Sequence, residues 1–189
     1  MSDALLFPEF EAQFLKHYRP CGKNASELPL TTLTFAMSLD SSVALAPGVR
    51  TQLSGPQSKA MTHYLRSRHD AILIGVGTAI ADDPGLNCRI CGVREHDKKS
   101  LNGQPRPIIL DPSARWAFNE QSRILISAKE GRGRAPFVLT TNPSPPAEAS
   151  KLLEKYGGKY IPLPLGAPTM EHGRLEWKLI PQRLLQKGL

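Results

Sequence analysis

The chain has 189 residues, 40% of them hydrophobic and 22% charged, a size and balance that suit one globular domain with a core of its own. Its 24 Lys and Arg against 17 Asp and Glu leave a net charge of +7. The basic residues are scattered apart from a cluster in Lys129 to Arg134, and no nucleic-acid motif accompanies them, so the excess suits an anionic small substrate and a phosphorylated cofactor better than nucleic acid. No apolar run approaches the length of a membrane-spanning helix, and MSDALLFPEF lacks the basic start and apolar core of a signal peptide; a cytoplasmic protein without membrane contact is the expectation.

In chain order, residues 1–29 read as an N-terminal helix and linker, and residues 30–189 as the main domain. Pro8 to Tyr18 reads as a helix with proline in its first turn and Phe7, Phe10, Phe14 and Tyr18 spaced along one side, a packing face that suits a second subunit. Thr31 to Ser38 is rich in β-formers and reads as a strand. Asp40 stands at its end, either as a turn residue or as a polar or proton-handling group. Ser54-Gly55-Pro56 opens a helix to about Ser67, with Ser54 as its N-cap; Arg66 and Arg68 near its end favour the helix dipole. Ala71 to Val76 is a compact apolar run read as a buried strand, so that strand, crossover helix and strand form a βαβ unit.

Beyond that run, Gly75, Gly77 and Thr78 allow a sharp turn with bare N–H groups, and the Thr78 hydroxyl is placed to cap a short helix through Ala79 to Ala81. Asp82, Asp83 and Pro84 end it; Leu86 and Arg89 then supply an apolar and a cationic group. This is the carboxyl end of a strand, where ligands bind in open α/β sheets. Gly75-Val76-Gly77 begins like a dinucleotide fingerprint, but Ile80 occupies the sixth position and the acidic residues further on, Glu95 and Asp97, are poorly placed. Cys88 and Cys91 are spaced as CxxC, yet neither a second pair nor an HxxxH accompanies them. Together with Cys21 they read as reduced thiols, with no metal site. His17, His63, His69, His96 and His172 show no paired spacing and read as structural or solvent-facing.

Pro107 to Leu110, Arg123 to Ser127, Phe137 to Thr140 and Tyr160 to Leu163 are four further short runs read as strands. Pro145 to Tyr156 reads as a helix with Gly157 and Gly158 as its C-terminal stop, and Trp177 to Lys187 as another.

DAILIGVGTAIADDPGLNCR, with TLTFAMSLD upstream, resembles the riboflavin-biosynthesis reductase family of fungal and archaeal type, related to the C-terminal domain of bacterial deaminase-reductases. The GTxxADDPxLxxR string is long and specific, and the likeness is strongest from Thr31 to Arg115. The resemblance implies a dihydrofolate-reductase-like α/β fold, a mostly parallel sheet with flanking helices, and a homodimer. By it, the residues matching Thr78 and Asp82, with Ile161 at the end of a late strand, contact NADPH. Those matching Arg66, Leu86 and Arg89 contact the substrate. The implied reaction converts the ribosyl group of 2,5-diamino-6-ribosylamino-4(3H)-pyrimidinone 5′-phosphate to ribityl, with Asp40 the candidate catalytic group and Arg66 and Arg89 suited to the substrate phosphate.

No H-x-E with PCxxC deaminase motif is present, and TLTFAMSLDS with THYLRSRHD favours the diamino substrate. In the family a strand and a VEGG-type turn that contacts the cofactor phosphates follow the position of Leu189. Their absence from the sequence implies a sheet incomplete at its C-terminal side, and opens a second reading as a catalytically impaired relative acting in binding.

Overall fold

The computed structural model describes residues 5–16, 29–46, 48–90, 101–163, 170–171, 174–175 and 180. Its centre is a sheet of four short strands, β1 (Ala71–Gly75), β2 (Arg106–Leu110), β3 (Phe137–Thr140) and β4 (Lys159–Pro162), all parallel and neighbours in chain order. Parallel strands need crossovers. They are supplied by α3 (Val76–Asp82), α4 (Arg123–Lys129) and α5 (Ala147–Lys155). Before the sheet come α1 (Glu9–Lys16) and α2 (Pro56–Ser67), and after it a two-stranded antiparallel pair, β5 (Met170–Glu171) and β6 (Arg174–Leu175).

The strands are apolar because both sheet faces are covered. On one face Ile72, Ile74, Ile109, Val138 and Tyr160 pack with Val76 and Ala79 of α3, Ile124 and Leu125 of α4, and Leu153 of α5. The opposite face carries Ala71, Leu73, Ile108, Leu110, Phe137, Leu139 and Ile161, with Leu163 and Ile180 against them. Each fully buried isoleucine or leucine in these layers contributes roughly 1.5–3 kcal/mol through apolar surface removed from water.

The carboxyl ends of β2 and β3 are locked by polar groups. Asp111, fully buried, accepts the backbone N–H groups of Arg115 at 3.1 Å and Trp116 at 2.8 Å. The buried Thr140 hydroxyl donates to the Pro112 carbonyl at 2.9 Å and accepts the Asn142 N–H at 3.1 Å.

Several sequence expectations are corrected. Arg123 to Ser127 belongs to helix α4 and not to a strand. An apolar run of that length fits either state, and here the chain needs a crossover between β2 and β3. Thr31 to Ser38 joins no ladder among the described residues and its side chains are mostly exposed, so the βαβ units are built by β1 to β4 alone. The first strand ends at Gly75, one residue early, because Val76 already opens α3. Helix α2 has Gly55 rather than Ser54 at its N-cap. The expected helix Trp177 to Lys187 lies outside the described residues except for Ile180, which is helical and buried. Of the aromatic stripe on the first helix, Phe7 stacks on Tyr64 at 4.9 Å while Phe10 and Phe14 are exposed; Tyr18 lies outside the described residues.

Candidate active site

Helix α3 leaves the carboxyl end of β1 with Gly75 as its N-cap, and no side chain caps it. Thr78 therefore sits inside the first turn rather than at the cap expected from the sequence, because the helix starts two residues before it. Gly75, Gly77 and Thr78 are exposed, and the space over both glycines is open. The first-turn N–H groups and the Thr78 hydroxyl thus face outward as donors, the arrangement a phosphate or ribose oxygen needs. Asp82, one turn on, is half-buried and makes no hydrogen bond among the described residues.

The two aspartates have separate tasks. Asp83, in the left-handed region at φ 40°, receives the Arg123 backbone N–H on both carboxylate oxygens at 3.2 and 3.3 Å, which ties the end of α3 to the start of α4. Asp82 is left without a partner among the described residues.

From Asp83 the chain turns back toward the amino ends of the strands. Leu86, at φ 53°, is buried in the core under the helices. Asn87 donates to the Arg132 carbonyl at 3.3 Å, and Gly133 packs so close that an added Cβ would lie 3.0 Å from the Asn87 Cβ. The Gln104 amide holds Cys88 on both sides, accepting its N–H at 2.8 Å and donating to its carbonyl at 3.0 Å. Gln104 lies just before β2, so Arg89 is delivered toward the amino side of the sheet, whereas α3 starts at the carboxyl side. Five residues of β1 separate the two regions, about 17 Å of strand. The sequence reading grouped Leu86 and Arg89 at the carboxyl edge with Thr78; the returning loop separates them.

Arg89 meets α2. Its backbone N–H donates to His63 Nδ1 at 3.1 Å, and its Nη2 lies 3.3 Å from His63 Nε2. Arg66 is on the same helix face, three residues from His63, and donates through Nη1 to the Asn87 carbonyl at 3.2 Å. Its Nε is buried with no partner among the described residues. Neither arginine has a carboxylate partner there either; Arg89 does not pair with Asp82 or Asp83.

The electrostatics follow from this crowding. Burial, with Arg89 nearby, lowers Arg66 to about 10, while Cys88 opposes the shift; the guanidinium remains charged at neutral pH. Burial, reinforced by Arg66 and Arg89, pushes His63 down to about 3. The imidazole is thus neutral between two cations. The buried Cys88 thiol donates to the His63 carbonyl at 3.2 Å. Cys21 and Cys91 lie outside the described residues, and no group of three metal-ligating side chains converges among those described.

The other two expected residues lie apart. Asp40 is in an exposed turn, where the Ser38 and Ser42 hydroxyls donate to its carboxylate, the latter at 3.1 Å; those bonds, Ser38 first, hold its carboxyl below the usual range. Ile161 pairs with Leu139 near the carboxyl end of β4 and is buried.

Sequence reasoning passed over His63. The usable signal was its i, i+3 spacing from Arg66, which puts both on one helix face. Gln104 and Asn87 carried no such signal, because their bonds span 16 and 45 residues.

Comparison with known proteins gives a consistent result. Residues 29–185 match the family model of the RibD C-terminal domain. Curated relatives named 2,5-diamino-6-ribosylamino-4(3H)-pyrimidinone 5′-phosphate reductase include those of Debaryomyces hansenii, 41% identical over 93% of this chain and 68% of the relative, and Candida glabrata, 45% identical over 72% and 56%. A third, from Eremothecium gossypii, is 41% identical over 92% of this chain and 66% of its own length. The chain thus spans about half to two thirds of the relatives it matches. The solved structure of the Saccharomyces riboflavin biosynthesis reductase Rib7 superposes with a TM-score of 0.70 at 31% identity, over 94% of this chain and 67% of that one. Acinetobacter baumannii RibD, at 22% identity and a TM-score of 0.62, shares the fold. The parallel sheet with its flanking helices is the dihydrofolate-reductase-like architecture of these reductases, and the chain belongs to the RibD C-terminal domain family.

Proposed function

We propose that this chain reduces the ribosyl group of 2,5-diamino-6-ribosylamino-4(3H)-pyrimidinone 5′-phosphate to ribityl, using NADPH, as a cytoplasmic homodimer. The observation that carries the reading is the meeting of Arg66 and Arg89 with no carboxylate partner among the described residues. Two guanidinium groups so placed are a site for an oxyanion, and a substrate phosphate meets that need. The names of the fungal relatives specify a phosphorylated substrate of this kind.

The α3 start fits NADPH: uncapped N–H groups and the exposed Thr78 hydroxyl suit its phosphate or ribose oxygens, and the Asp82 carboxylate, without a hydrogen bond among the described residues, suits a sugar hydroxyl. When bound, the nicotinamide would supply a hydride, which the ring-opened, N-protonated iminium form of the substrate would accept at C1′ to give the neutral ribityl amine. This chain's residues align the partners. Arg66 and Arg89 hold the phosphate end of the substrate, so that its sugar is presented in a fixed orientation. Asp40, kept in its carboxylate form by the Ser38 and Ser42 hydroxyls, is suited to an electrostatic role rather than to acting as an acid. Exposed Phe10 and Phe14 on α1 are the surface for a second copy.

Fluorescence titration of the purified chain with NADPH tests the cofactor half. Saturable binding that Thr78→Val with Asp82→Ala abolishes is expected; equal binding by wild type and the double variant would contradict the assignment.

A further inference from the structure

The His63 and Arg89 contact contains an unmet demand. A backbone N–H can only donate, so the Arg89 N–H at 3.1 Å requires a lone pair on His63 Nδ1. The ring is neutral, so its one proton is on Nε2. That Nε2–H then faces Arg89 Nη2, which also carries only hydrogens, at 3.3 Å. Two donors face one another, with no acceptor between them among the described residues. Close by, Arg66 Nε is a third donor, buried and unpartnered among the described residues.

The local backbone cannot easily turn away from this arrangement. Gln104 holds Cys88 by both its N–H and its carbonyl, the Leu5 N–H donates to the Arg89 carbonyl at 2.9 Å, and Nδ1 holds the Arg89 N–H. Only the outer part of the Arg89 side chain is free to adjust, and that residue is exposed. An acceptor arriving from solvent is the simplest group that satisfies the three donors together.

We propose that His63 is a substrate-binding residue: its neutral Nε2–H and Arg89 Nη2 share one oxygen of the bound phosphate, with Arg66 donating from the buried side. The proposal rests on the phosphate-clamp reading above and adds a neutral donor of fixed tautomer to it. A protonated histidine would have lost the lone pair that orders the Arg89 backbone. The neutral ring does both tasks at once, orienting the arginine through Nδ1 and donating through Nε2.

Calorimetric titration with ribose 5-phosphate, at one ionic strength, separates these tasks in variants checked for folding by circular dichroism. His63→Asn keeps an acceptor near the Nδ1 position and removes the Nε2–H; it should weaken binding about three- to tenfold with NADPH titration unchanged. His63→Gln, which places an amide N–H near the Nε2 position, should recover most of the loss. Heteronuclear NMR of the wild-type ring nitrogens needs no variant: His63 should be the Nε2–H tautomer, and Nε2 should shift on adding ribose 5-phosphate.

Wild-type affinity in folded His63→Asn, or a His63 resonance unmoved by saturating ribose 5-phosphate, overturns the proposal. Arg89→Ala tells the two levels apart. If it weakens binding while His63 stays silent, the clamp stands and the histidine role falls. If it leaves binding unchanged, or wild type does not bind, both fall.

Discussion

His63 shows how strongly one side chain's surroundings set its chemistry. With burial, Arg66 and Arg89 all disfavouring the imidazolium, its folded pKa of about 3 lies well below the 6.5 of an exposed ring. The unfolded chain therefore binds a proton there that the folded chain does not, and stability present above pH 6.5 is lost as pH falls toward 3. The slope from this group is at most roughly 1.4 kcal/mol per pH unit. Denaturant unfolding between about pH 6.5 and 5.5, where few carboxylates take protons, should show that decline, and folded His63→Gln should flatten it. An equal decline in both proteins would assign the effect elsewhere. Arg89 is the second test at this scale: Arg89→Ala should raise KM for the phosphorylated substrate about ten- to a hundredfold and leave KM for NADPH unchanged.

At the scale of elements, the polar locks at the strand ends carry stability. Asp111→Ala would strand two backbone N–H groups in a fully buried place, so it should cost about 2–4 kcal/mol by chemical denaturation. Gly158 is a steric lock: it follows α5 and leads into β4, where an added Cβ would lie 2.5 Å from the Pro136 carbonyl oxygen. Gly158→Ala should cost about 1–3 kcal/mol, lowering Tm by roughly 2–12 °C; an unchanged Tm would mean that the turn gives way freely.

These elements also show what a sequence can reveal. The runs at Ile72, Ile108 and Val138 are legible because a parallel sheet covered on both faces needs continuous apolar stretches. Ile124 to Ser127 is the same kind of run and is helical, since local composition does not record that a crossover is needed there. Gly75 to Asp82 is legible as a candidate site because its donors and carboxylate are contiguous. The contact of His63 with Arg89 spans 26 residues, and the return of the chain past Leu86 that creates it depends on Asn87, Gln104 and Arg132, none with a local signature.

At the scale of the whole molecule, the sheet separates two regions with different chemistry. Uncapped N–H groups and the Asp82 carboxylate lie at the carboxyl side, suited to a dinucleotide; the Arg66, His63 and Arg89 donors lie toward the amino side, suited to a phosphate. In the proposed reading, an elongated substrate held at its phosphate end by the arginines would direct its sugar toward the cofactor, so that binding energy from a remote group would align the reacting carbon. Among the described residues no helix is long and apolar enough to cross a membrane.

Substrate-dependent loss of NADPH absorbance is the measurement that meets the central claim most directly, made on the purified chain with the ribosylaminopyrimidine phosphate and with chromatographic detection of the ribityl product. The account predicts ribityl product in step with NADPH consumed, and a rate at low substrate that falls in Arg89→Ala. A folded chain that binds both NADPH and the phosphorylated pyrimidine but transfers no hydride would contradict it.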